Sequence, residues 1–161
     1  MPTRLIVGAD DFGWTQGINR GIIDAHKNGI VTATSLMVNA PYAEEAAKAA
    51  TKFPGLEVGV HLNMVNGRPI LSPNDVPTLV DASGRFYNLK QVELRAVTGR
   101  LNTEELVAEF KAQIRRAGCS PGRRSASVPG RARRGRLSLS RCVASPRCRC
   151  PVQKTGTVKN K

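Results

Sequence analysis

Every Asp, Glu, Phe, Tyr and Trp of this 161-residue chain lies at or before Phe110, and that break constrains the fold more than any motif does. A segment without large apolar groups cannot offset the entropy of ordering its own backbone. Only residues 1–117 can therefore build a core. They carry 13 Lys and Arg against 12 Asp and Glu, whereas residues 118–161 carry 12 Lys and Arg and no acid. The formal net charge of +13 is thus a property of the tail. We divide the chain into a folded portion, 1–117, and an Arg/Ser/Gly/Pro-rich tail, 118–161, expected to be disordered or the product of a shifted reading frame. No run of 18 apolar residues occurs, so nothing is expected to span a membrane. Met1-Pro2-Thr3-Arg4 leads into a strand-like stretch without an apolar signal core, so the expected compartment is the cytoplasm.

The folded portion alternates between two periodicities. Arg4 to Asp10 is a short apolar run ending in acids, as in a buried parallel strand. Thr15 to Asn28 reads as a helix with Ile18, Ile22, Ile23 and Ala25 on one side, Thr15 as its cap and Gly29 ending it in the left-handed conformation. Ile30 to Asn39 is the second strand. Pro41 to Phe53 is an Ala-rich helix with Glu44 and Glu45 in its first turn, as the helix dipole favours, and Pro54-Gly55 stops it. Leu56 to Asn63 is the third strand. Residues 66–90 are punctuated by Gly and Pro and read as loop. Asn102 and Glu105 have capping-box spacing ahead of a last helix, on which Leu106, Phe110 and Ile114 share a face. Strands alternating with helices imply an α/β fold with a parallel sheet.

In such a sheet all strands end on one face, and polar residues at those ends gather there. Asp10 and Asp11 close the first strand, Asn39 the second, His61 and Asn63 the third. A carboxylate with a neutral imidazole begins a divalent-metal site, and a second carboxylate can act as general base on a water that the ion acidifies. Neighbours on a regular strand point oppositely, so Asp10 and Asp11 converge only if the chain turns there, which Gly13 permits. Structural roles compete: Asp caps and turns, a hydrogen-bonded core His61, a helix-terminal His26, and a packing Trp14.

The words themselves narrow the choice. Leu5-Ile-Val-Gly-Ala-Asp-Asp-Phe-Gly13, Gly17-Ile-Asn-Arg-Gly21, Thr34-Ser-Leu-Met-Val-Asn39, Gly59-Val-His-Leu-Asn63, Gly67-Arg-Pro69 and Leu79-Val-Asp-Ala-Ser-Gly-Arg-Phe86 occur in order. Together they resemble the YdjC-like (ChbG/HpnK) carbohydrate deacetylase family over residues 4 to about 116. The resemblance implies a TIM-like (β/α) barrel, here truncated, and metal-dependent hydrolysis of the N-acetyl group of an amino sugar or chito-oligosaccharide. It implies Asp10 as general base and Asp11 and His61 as ligands of a divalent metal ion, magnesium or zinc. The family pattern continues with a His-x-His strand supplying a third ligand, but no histidine follows His61 in this chain. A (β/α) barrel also needs about 250 residues. The chain is therefore expected to be inactive or to fold poorly.

Of residues 118–151, 26 are Arg, Ser, Gly, Pro or Ala, the residues of GC-rich codons, which is what a frame change in a GC-rich gene would produce. The alternative is a basic arm that contacts nucleic acid or another polyanion through Arg131, Arg133, Arg134 and Arg136, without aromatics for base stacking. Cys119, Cys142, Cys148 and Cys150 lack the spacing of a zinc knuckle and read as incidental. Nothing in the sequence speaks to the oligomeric state.

Overall fold

The structure, a computed structural model, describes residues 5–118. Its elements run β1 (Gly8–Phe12), α1 (Gln16–Lys27), β2 (Ala33–Leu36), α2 (Ala43–Ala50), β3 (Glu57–Val60), α3 (Leu89–Val97) and α4 (Thr103–Arg116). The strands form one parallel sheet in the order β1-β2-β3. The expected α/β alternation is present, as an open three-stranded sheet. Residues 119–161, including the arginine cluster and the cysteines, lie outside the described residues, so the readings of the tail do too.

The core forms where the sheet meets the two crossover helices. Phe12, Leu36 and Val38 pack with Ile22 of α1 and with Ala43, Ala46 and Ala47 of α2, all buried. Alanines let α2 approach the sheet closely, and a Cβ on Gly13 would stand 3.0 Å from Ala43 Cα. A second cluster, Val76, Leu79, Val80 and Phe86, is formed within the long connection between β3 and α3. Burying even these few side chains stabilises the fold by about 1.5–3 kcal/mol each.

Several local expectations are corrected. Leu5 and Ile6 are 78% and 73% exposed, not buried, because they precede the paired part of β1 at the sheet edge. Thr15 caps α1 as expected, its side chain accepting from Ile18 N, but the helix ends at Asn28 in a right-handed conformation. Gly29 is not left-handed; its lack of a Cβ matters because one would lie 2.7 Å from Ala25 O. α3 falls where loop and unassigned sequence were expected, and it carries a complete capping box between Asn88 and Gln91. At α4 Asn102 caps through Glu104 N rather than Glu105 N. Glu105 turns away, accepting from Thr78 N and Thr78 Oγ1 at 2.9 and 2.8 Å. Leu106, Phe110 and Ile114 are only half-buried.

The buried face of α4 is instead Glu109, Ala112 and Gln113. Its neighbour is irregular backbone, whose N–H and C=O groups need partners once water is excluded. Glu109, fully buried, accepts from Ile70 N at 2.9 Å, Leu71 N at 3.0 Å and Gln113 Nε2 at 2.8 Å. The long connection is hung from α4 by polar side chains.

Candidate functional site

Asp10 and Asp11 lie side by side because β1 carries a bulge. Ala9 pairs with Thr34 and Phe12 with Leu36, so two β1 residues, Asp10 and Asp11, oppose the single residue Ser35. A bulge bends its strand and re-aims side chains. Asp11 absorbs the bend at φ 64°, in the left-handed region that Asp tolerates better than most residues. The turn at this point of β1 is thus made at Asp11 itself rather than at Gly13 alone. Gly13, at φ 101°, follows as the chain leaves for α1.

Ser35 connects the site. Its Oγ donates to Asp10 Oδ1 at 2.7 Å and stands 3.3 Å from His61 Nδ1. His61 follows β3 directly, its backbone N–H bonded to Leu36 O at 2.9 Å. His61 Nδ1 lies 3.5 Å from Asp11 Oδ1, with the two side chains 32% and 53% exposed. His61 therefore reaches Asp11 directly and Asp10 through Ser35, a chain of contacts that runs from β1 across β2 to the residue after β3. Ser35 escaped the sequence reading; only the bulge, invisible as a spacing, puts it opposite both acids.

The other candidates do structural work. Asn63 is buried: its backbone N–H and C=O are both taken by Gln113, and its Oδ1 accepts from Val65 N. Asn39 Nδ2 donates to Arg68 O at 3.0 Å, tying β2 to the loop at Gly67. His26 Nδ1 lies 2.8 Å from Val31 O and its ring meets Phe53 edge-on, so it secures the α1–β2 turn. Trp14 is half-buried with its ring edge near Gly67. A groove of about 490 Å³ on α4, lined by Leu71, Val107 and Lys111 among others, shares no residue with the Asp–Ser–His cluster.

The donor set can be tested against a divalent ion. An imidazole nitrogen and a carboxylate oxygen 3.5 Å apart suit two adjacent ligands of one ion at about 2.0–2.2 Å each. Protein metal sites generally hold three or more such groups, and no cluster of three His, Cys, Asp or Glu arranged to hold an ion occurs among the described residues. The pair fits part of a site.

Comparison with known proteins shows the family. The signature of the YdjC-like protein family matches residues 4–125, running past the compositional break at Ala117. The chain is 46% identical over 111 residues to a carbohydrate deacetylase of Halalkalibacterium halodurans, covering 69% of this chain and 46% of that protein. It is 39% identical over 123 residues to a chitooligosaccharide deacetylase of Yersinia pestis, covering 76% and 47%. It also matches the crystal structure of a proposed cellobiose-phosphate cleavage protein from Enterococcus faecalis, with a TM-score of 0.62 and 41% identity over 68% of this chain and 41% of that one. The chain spans less than half the length of these relatives. Among the described residues no helix is long and apolar enough to cross a membrane.

Proposed function

The chain belongs to the YdjC-like family, and from that premise we propose that it carries the first part of a metal-dependent carbohydrate deacetylase. The reaction is hydrolysis of the N-acetyl group of an amino sugar or chito-oligosaccharide. What supports the reading is the contact of His61 with Asp11 and the link from His61 through Ser35 to Asp10. The names of the bacillary and Yersinia relatives support the reaction class.

In this reading Asp11 and His61 hold a divalent ion, magnesium or zinc. Such an ion supplies Lewis-acid polarisation of an acetamide carbonyl and lowers the pKa of a water. Asp10 takes the proton of the water that adds to the carbonyl carbon. Ser35, donating to Asp10 Oδ1, orients that carboxylate and leaves Oδ2 for the water. Collapse of the tetrahedral adduct breaks the C–N bond, the proton held by Asp10 passes to the departing nitrogen, and acetate and the free amino sugar result.

The same reading divides the chain at Ala117 into part of a (β/α) barrel domain and a tail foreign to it. With two ligand donors instead of three, this chain does not turn over. The test is acetate release from di-N-acetylchitobiose with added magnesium or zinc. The 161-residue chain is expected to release none, whereas residues 1–117 fused to the remaining half of the Halalkalibacterium deacetylase release acetate and stop doing so with Asp10→Asn. Turnover by the 161-residue chain overturns the incomplete site; an unchanged rate in the fused Asp10→Asn protein overturns the role of Asp10.

A further inference from the structure

A buried polar contact lies beside the site rather than in it. Gln113, fully buried on α4, grips Asn63 at both backbone groups: its Oε1 accepts from Asn63 N at 2.9 Å and its Nε2 donates to Asn63 O at 2.6 Å. The second Nε2 hydrogen goes to Glu109 Oε1 at 2.8 Å. Both neighbours of Nε2 can only accept, so the amide has one possible orientation and no spare polar atom. A glutamate at 113 would set a carboxylate against the Glu109 carboxylate and a carbonyl.

This grip does the work of a neighbouring strand. β3 ends at Val60, and the next residue, His61, still bonds to Leu36 O of β2. Two residues later Asn63 has no strand partner for either backbone group and receives Gln113 instead. His61 is thus held on both sides, by β2 at its own N–H and by α4 at Asn63. We propose that Gln113 is a positioning residue for His61, fixing the backbone from which the imidazole meets Asp11 and Ser35. The importance of that position rests on the deacetylase reading, while the grip itself does not.

The experiment uses the full 161-residue chain, isotopically labelled, with NMR of the His61 ring and Mn²⁺ as the metal probe. Gln113→Met keeps the side-chain length and removes every hydrogen bond of the amide. Glu105→Ala, which removes the Thr78 bonds from the same helix, controls for general loosening of α4. Gln113→Met is expected to shift and broaden the His61 ring signals and to weaken Mn²⁺ binding about tenfold, in the range seen when groups supporting a ligand are lost. Glu105→Ala is expected to lower the melting temperature without moving those signals. Unchanged His61 signals in Gln113→Met, or equal changes in Glu105→Ala, overturn the proposal. Shifted signals in Gln113→Met without Mn²⁺ binding in the parent chain uphold the positioning role and reject the metal reading. Should Gln113→Met not fold, Gln113→Asn, an amide one methylene too short to reach Asn63, is read against the same two outcomes.

Discussion

Replacing Glu109 by Gln changes one atom in a fully buried side chain and should cost far more than a surface charge. Oε1 accepts from Ile70 N and Gln113 Nε2, and Oε2 accepts from Leu71 N and, at 3.1 Å, from Ile70 N. Every group facing the carboxylate is therefore a donor. In either orientation an amide at 109 turns an NH₂ toward an N–H group, losing that bond and leaving a buried donor unpaired. A hydrogen bond to a charged group contributes about 1.5–3 kcal/mol net, and an orphaned buried donor costs about 1–3 kcal/mol. The opposing effect is relief from burying a charge, which makes some buried ionic groups dispensable. Three converging donors favour the carboxylate, so the expected loss is about 3 kcal/mol, or roughly 10–15 °C in melting temperature for a domain near this size. Urea unfolding followed by Trp14 fluorescence, with the slope checked for constancy, measures it. Glu93→Gln on the exposed face of α3 is the control, expected within about 0.5 kcal/mol of the parent. Glu109→Gln as stable as the parent, or more so, refutes the view that α4 holds the connection through backbone donors.

Three further outcomes follow from particular residues. Asp11→Gly should match or exceed the parent in stability by up to about 1 kcal/mol, because φ 64° suits glycine, while abolishing divalent-ion binding; urea unfolding and Mn²⁺ titration read the two effects separately. Hydrogen bonds from Ser83 and Arg85 hold the exposed Asp81 carboxyl below its ordinary value of 3.8. Its folded pKa is depressed, so its contribution to the 81–85 turn is present above about pH 4 and is lost as the pH falls through the folded value; amide shifts of Ser83 and Arg85 should move together there and stay put in Asp81→Asn. Sequencing the gene beyond codon 105 should uncover, in another frame, a His-x-His strand and further βα units, and a confirmed frame with tail peptides present in the cell would reject the frameshift account.

The parts of the fold legible in the sequence are those set by burial periodicity. The alternation from β1 to β3 could be read because Ile22, Leu36 and the α2 alanines answer to one core. α3 was missed because only Val92 is buried along it, leaving no apolar stripe; the Asn88–Gln91 capping spacing was the available signal. α4 is legible in the sequence, but its inward face is not. The apolar stripe Leu106, Phe110, Ile114 was the natural choice, yet the surface it meets is loop backbone that needs hydrogen-bond partners, so Glu109 and Gln113 turn inward. At the site, Asp10, Asp11 and His61 were legible as polar ends of parallel strands. Ser35 was not, because the bulge that sets it opposite Asp10 and Asp11 is a matter of register, and register is decided by tertiary pairing.

The measurement that bears most directly on the account is calorimetric titration of the chain with Mn²⁺ or Zn²⁺, alongside Asp11→Asn, His61→Ala and Asp10→Asn. The account predicts one weak site, lost with Asp11→Asn and with His61→Ala and retained with Asp10→Asn, whose carboxylate serves the water rather than the ion. Binding that survives both ligand substitutions, or that depends on Asp10 in place of Asp11, would contradict it.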